Sequence, residues 1–252
     1  MYSADDVTEA ILAEFAQFAS THPGGWARRE GGLSTFYTGI PVPNFNGVVV
    51  EREGVDLGLI GSRLDEFESN GVPYGVYVRS DEYVDVFAIA KARGLNIKEA
   101  VPLMVFAPTA HMTVDEIPTG LSIRQVVSDD VDEYADIAAA AFGMPHEIAR
   151  QSMSREVLAR NGVRGYIGDI DGRPVATSVG VTNGDSVGIF NVGTVESARR
   201  RGYGREITVR AISDGVKNGA KWSYLQSSPA GLSIYRRIGY ETLETWTHFL
   251  PG

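Results

Sequence analysis

The chain has 252 residues, enough for one large domain or two small ones, and its 43% hydrophobic and 22% charged content marks a globular protein with a packed core. It contains no cysteine, which excludes disulfides, thiolate metal sites, iron–sulfur clusters and cysteine nucleophiles. A net charge of -9 opposes unspecific binding to nucleic acid or anionic lipid.

In chain order, Val7, Ile11, Phe15 and Phe18 recur at helical spacing behind Ser3, which predicts a capped helix over 5–19. Strand-like runs follow at 33–37 and 47–50, then a helix over 55–69, a strand at 74–78, a helix over 83–92 and a strand at 100–107. Residues 108–120 carry Thr, Pro, Asp and Gly without an apolar period and read as a linker, so the chain divides into units 1–110 and 121–252 joined by 111–120. The second unit is expected to contain a strand at 121–127, helices over 131–142 and 147–158, and strands at 164–170, 173–181 and 186–195. The hairpin turn Asp171-Gly172 joins the first two of those last three strands. A helix from Gly202 to Asn218, a strand at 222–226, a helix over 229–238 and a strand at 241–250 complete it.

The two units end alike. Phe45-Asn46, helix, Asn70-Gly71, strand has the order of Phe190-Asn191, helix, Asn218-Gly219, strand, with 24 positions between the asparagines in the first case and 27 in the second. Duplication explains this, and so does the ease with which any two α/β segments of this size align. The difference between the copies is sharper: Arg199-Arg-Arg-Gly-Tyr-Gly204 in the second unit stands against Glu51-Arg-Glu-Gly54 in the first.

The segment Thr194 to Arg205 lies between a strand and a helix. The first amides of a helix have no intrahelical partner and the macrodipole adds positive potential, so an anion fits there. Gly202 and Gly204 let the backbone approach a phosphate. Arg199, Arg200, Arg201, Arg205 and Arg210 place five of the 23 basic residues within twelve positions, a basic island on an acidic chain.

With these motifs the second unit, over about 121–250, resembles the GNAT superfamily of CoA-dependent N-acyltransferases. Arg199-x-x-Gly202-x-Gly204 is similar to the family's pyrophosphate loop. Ser227 to Tyr240, in which Tyr235 precedes Ile238-Gly-Tyr240, is similar to its closing segment. The fold implied is α/β with a mixed sheet: a GNAT-type acyltransferase fold in the C-terminal half, preceded by a smaller, degenerate GNAT-like α/β domain. The resemblance implies acetyl-CoA, or another acyl-CoA, as co-substrate. Val192, Gly193 and Thr194 would bond the pantetheine arm through their backbone, in a gap opened where that strand splays from its neighbour beyond Gln226. The backbone of Arg200, Arg201, Gly202, Tyr203 and Gly204, with Arg205 nearby, would hold the pyrophosphate. Ser228 either touches the cofactor or caps a helix begun by Pro229.

In the same family a tyrosine protonates the departing thiolate, and Tyr235 matches it in position; packing its ring in the core is the alternative. The general base stays open among His146, Glu147, Asp185 and Glu196. His22, His111 and His248 have no metal-ligand spacing, so no metal is assigned, and no Ser/His/Asp triad is recognisable. In the first unit Glu51 and Glu53 stand where phosphates would need cations. That unit is expected to be a copy without a second active site, walling the acceptor cleft of the other.

The leading function is transfer of an acetyl or short acyl group from CoA to a primary amine of a small molecule. A non-catalytic acyl-CoA-binding or regulatory module is one alternative. Aminoacyl transfer from tRNA on the same fold is another, and the charge opposes a nucleic acid partner. No run approaches the roughly 20 apolar residues of a membrane span, and the start Met1–Asp6 lacks a secretion signal, so a cytoplasmic protein without a membrane partner is expected. The oligomeric state is left open.

Overall fold

The structure is a computed structural model and describes residues 2–79, 83–108 and 120–252. By contacts the chain forms two compact units, Met1–Leu103 with Thr242–Gly252, and Met104–Glu241. This division differs from the expected one at both ends, and the 111–120 linker lies almost wholly outside the described residues.

The first unit opens with helix α1 (Ala4–Thr21). Ser3 accepts from the Asp6 amide and the Asp6 carboxylate accepts from the Ser3 amide, closing a capping box that satisfies two otherwise orphaned donors. The expected strands are β2 (Leu33–Tyr37), β3 (Asn46–Val50), β4 (Gly75–Val78) and β5 (Ile97–Phe106), and the expected helices are α2 (Leu57–Ser69) and α3 (Val84–Ala92). An unexpected edge strand, β1 (Trp26–Glu30), pairs antiparallel with β2. Its sequence Trp-Ala-Arg-Arg-Glu shows no apolar alternation, as suits an edge protected by charge. The strand order is β1-β2-β3-β4-β11-β5, in which β11 (Glu241–Leu250) is the last strand of the chain. Thr247, His248 and Phe249 of β11 pair antiparallel with Val78, Tyr77 and Val76, and Phe249 joins the core of α2 and α3 with Ile60, Leu64, Val86 and Ala90. In return Met104, near the end of β5, belongs to the core of the second unit.

The second unit runs β6 (Leu121–Gln125), α4 (Val131–Phe142), α5 (His146–Ser152), α6 (Arg155–Leu158), β7 (Val163–Ile170), β8 (Arg173–Asn183), β9 (Ser186–Thr194), α7 (Tyr203–Lys217), β10 (Trp222–Gln226) and α8 (Leu232–Ile238). Its strands lie in the order β6-β7-β8-β9-β10, antiparallel as far as β9, with β10 parallel to β9. The turn at Asp171-Gly172 has φ of 50° and 72°, the left-handed pair that a two-residue hairpin requires. The single helix expected over 147–158 is broken at Met153, because Ser154 caps a new start by accepting from the Val157 amide. On one face of the sheet α7 buries Ile207, Ala211 and Ile212 against Tyr166, Ala176, Val187 and Ile189. On the other, α4 packs on β8 and β9.

Asn46 holds the first unit together at the start of β3. Fully buried, it accepts at Oδ1 from the Thr38 and Gly39 amides and donates from Nδ2 to the carbonyls of Ile40, Val42 and Pro73, at 2.7–3.2 Å. Asn46→Ala leaves several of these groups unsatisfied at about 1–3 kcal/mol each, so we expect a loss of at least ~2 kcal/mol in urea unfolding followed by circular dichroism. A loss below ~0.5 kcal/mol would contradict this account of the knot.

Candidate active site

β9 is the axis of the site. Its parallel ladder with β10 comprises Ser186–Trp222, Val187–Ser223 and Gly188–Tyr224, and stops there, although β9 continues to Thr194 and β10 to Gln226. The strands therefore separate at Tyr224, earlier than the expected point after Gln226. On its other edge β9 pairs with β8 through Val179–Phe190 and again through Thr177–Gly193. Asn191 and Val192 thus oppose Ser178 alone, which is a β-bulge, and Asn191 adopts the left-handed φ of 49°. The Thr177 hydroxyl donates to the Asn191 carbonyl at 3.1 Å. Asparagine is among the few non-glycine residues that tolerate this conformation, the one signal in the sequence that marks the bulge.

Beyond the bulge, Gly193 is a point of close approach. A Cβ there would come within 2.9 Å of the Ala141 Cβ and 3.0 Å of the Phe142 ring, so only glycine lets the end of α4 lie this close to β9. After Thr194 the chain makes a short 3-10 turn (Glu196–Ala198) and two left-handed residues, Arg200 at φ 64° and Gly202 at φ 88°. Gly202 is the N-cap of α7 and no side chain caps that helix. The first bond inside it runs from the Glu206 amide to the Gly202 carbonyl, so the amides of 202–204 have no intrahelical acceptor.

The arginines do different work. Arg199 donates from Nε to the Thr194 carbonyl and from Nη2 to the Ala141 carbonyl, at 3.1 and 3.0 Å, and so straps the loop to the end of α4. Arg200 and Arg201 are exposed. Arg205 bonds Glu206 at 2.7 Å. Arg210 does not belong to the island: it binds Asp214 and the Ile123 carbonyl along the flank of α7.

Tyr235 on α8 is 9% exposed, edge-on to Tyr240 with 5.9 Å between ring centres, and Tyr240 in turn shares a 2.5 Å hydrogen bond with Ser223. Burial raises the Tyr235 phenol to about 12. Ser228 is exposed, and both its hydroxyl and its carbonyl accept from the Gly231 amide; α8 begins only at Leu232, so Pro229 is not the first helical residue. At the end of β10, the buried Gln226 Nε2 has no acceptor among the described residues.

The expected base candidates have positions and partners of their own. Asp185 sits at the opposite end of β9, where it accepts from Trp222 Nε1 at 3.0 Å. His146 Nε2 lies 3.4 Å from Asp136, which is on the exposed side of α4, whereas Tyr134 and Ala138 bury the other side. Glu147 bonds Gln151 along α5, and Glu196 is exposed on its turn. Among the described residues no group of three His, Asp or Glu is arranged to hold a metal ion. His22 ends α1 with Nδ1 on the Phe18 carbonyl, His248 is half-buried and edge-on to Tyr77, and His111 lies outside the described residues.

The corresponding place in the first unit is closed in three ways. β3 and β4 stay paired from Gly47–Gly75 to Val50–Val78, so no gap opens. Asp56 caps α2 with its own carboxylate, accepting from the Gly58 amide at 2.8 Å and occupying the place an anion would take. Glu51 is held by Arg29 and by the Ser34 hydroxyl.

Residues 122–243 match the family model of the GNAT acetyltransferase domain. No curated protein matches the chain. Among solved structures, a GCN5-related N-acetyltransferase from Kribbella flavida superposes with a TM-score of 0.68 at 20% identity, over 96% of this chain and 95% of that one. A GCN5-related N-acetyltransferase from Sphaerobacter thermophilus gives 0.61 at 16% identity, over 88% and 78%. A GNAT-family protein from Novosphingobium aromaticivorans, described as a putative acetyltransferase, gives 0.57 at 16%, over 93% and 95%. Residues 122–243 are therefore similar to the GNAT acetyltransferase domain, and the whole chain shares its fold with such proteins. No helix among the described residues is long and apolar enough to cross a membrane.

The raised phenol pKa has a checkable sign. Neutral Tyr235 is the form the fold favours, so its share of stability is whole below pH 10 and is lost as pH climbs toward 12. In a spectrophotometric titration, the difference between wild type and Tyr235→Phe should show no phenolate below about pH 11. Ionisation near pH 10 would contradict the burial.

Proposed function

We propose that the second unit transfers an acetyl or other short acyl group from acyl-CoA to a primary amine of a small molecule, by direct attack in a ternary complex. What supports this most is one conjunction: a strand that leaves its parallel neighbour early, beside a helix whose first amides have no cap. The gap is of a kind that takes an extended arm with amide groups of its own, and the uncapped helix start takes a diphosphate. The orphaned Gln226 amide and the exposed Arg200 and Arg201 fit the same ligand.

In this reading the backbone of Val192, Gly193 and Thr194 bonds the pantetheine arm as an added strand. The amides of Arg200 to Gly204 receive the pyrophosphate, with Arg200, Arg201 and Arg205 supplying charge and Arg199 bracing the turn. Ser228 offers a further polar contact. The Val192 N–H polarises the thioester carbonyl as the amine attacks. When the tetrahedral adduct collapses, the C–S bond breaks, the thiolate takes a proton from the Tyr235 hydroxyl, a group still protonated at any physiological pH, and the proton shed by the attacking nitrogen restores the phenol. The first unit, its ladder unbroken and its helix start capped from within, binds no CoA.

Gly204→Asp tests the loop. A Cβ at 204 meets nothing nearer than the Thr194 hydroxyl at 3.6 Å, so the fold accepts the side chain while its carboxylate faces the diphosphate. Calorimetry should show CoA binding weakened at least ~30-fold, and unchanged binding would refute the loop assignment. Tyr235→Phe should keep CoA affinity within about twofold and lower kcat by about 10²-fold in thiol release from acetyl-CoA across a panel of amines. Binding without thiol release from any amine would indicate a non-catalytic module instead.

A further inference from the structure

We infer that Thr177 is a positioning residue for acyl transfer, fixing the direction in which the Val192 N–H points; the inference rests on the function proposed above. The Asn191 carbonyl and the Val192 N–H belong to one peptide group, which is planar and trans, so they point in opposite directions. Thr177 lies on β8 and its hydroxyl holds the Asn191 carbonyl at 3.1 Å. The Val192 N–H is thereby turned away from β8, toward the edge of β9 that β10 has left.

Without that bond little defines the peptide. Asn191 is in the left-handed region, where a non-glycine residue persists only if its surroundings determine it, and the bulge leaves Asn191 and Val192 sharing one partner, Ser178. Thr177 itself is fully buried, with no water to compete for its hydroxyl. Beside it lies the buried Tyr134 hydroxyl of α4, close to both Thr177 and Asn191. A threonine placed only for packing would serve as well as valine, which has the same shape.

Two substitutions separate these roles. Thr177→Val keeps the volume and removes the donor; Thr177→Ser keeps the donor. CoA has no acyl carbonyl, so its affinity, read by calorimetry, should stay within about threefold in both. The kcat for thiol release from acetyl-CoA with an accepted amine should fall about 10- to 100-fold in Thr177→Val and return to within about threefold in Thr177→Ser. The infrared carbonyl stretch of acetyl-CoA labelled with carbon-13 at the carbonyl gives an independent readout. It should move to lower frequency on binding to wild type, and that shift should shrink in Thr177→Val. Should Thr177→Val not fold, Thr177→Ala carries the same comparison, and the wild-type shift still tests the aim of the N–H. Full kcat in a folded variant without the hydroxyl, or no carbonyl shift in wild type, overturns the role of Thr177 while leaving the acyltransferase standing. Failure of wild type to bind CoA overturns the acyltransferase and this inference with it.

Discussion

A backbone amide or carbonyl inside a protein must find a partner, and a strand that leaves its sheet neighbour early transfers that requirement to something else. β9 does this beyond Gly188, in the interior of the second unit's sheet. Everything assigned to the site follows from how that requirement is arranged. The bulge at Asn191 turns one peptide out of the ladder with β8, Gly193 brings the end of α4 against the strand, and Arg199 ties the following loop to the last turn of α4. The protein invests interior hydrogen bonds in shaping an opening, and Thr177 and Arg199 are two of them.

The first unit shows the same elements with the requirement met internally. Its parallel pair stays zipped, its asparagine spends its capacity on the surrounding chain, and its helix start is capped by Asp56. The two asparagines, Asn46 and Asn191, occupy equivalent places in the sequence pattern and do opposite things. Asn46, with five neighbouring backbone groups bound, is a knot, while Asn191 is held through its carbonyl by a neighbouring strand and takes a left-handed turn. A capped helix and a continuous ladder stabilise; an uncapped helix and an interrupted ladder can bind.

Much of this was legible in the sequence because it is local. The capping box at Ser3 and Asp6, the left-handed pair at 171–172 and the glycine N-cap of α7 each depend on a few neighbouring residues, and strand and helix periods gave most element positions to within a few residues. The motif around 199–204 pointed to the site for the same reason. What was hidden depends on residues far apart. Nothing near Glu241 says that β11 pairs with β4, because that choice depends on two strands separated by more than 160 positions. The bulge needs β8 as well as β9, so Thr177 carried no signal of its own. The first unit's closure lay in Asn46, whose partners come from two distant segments, and in Asp56, which falls inside the helix expected over 55–69 and instead caps it. Charge counting also misled, since Arg210 is consumed by Asp214 and Arg199 by carbonyls, leaving fewer cations at the loop than the sequence suggests.

The most direct test is a crystal structure of the protein with acetyl-CoA bound. The account predicts the diphosphate on the amides of 200–204, the pantetheine arm alongside Val192–Thr194 in the open ladder, and the thioester oxygen within hydrogen-bonding distance of the Val192 nitrogen. A nucleotide seated anywhere else, or β9 and β10 found paired beyond Gly188 and Tyr224, would contradict it.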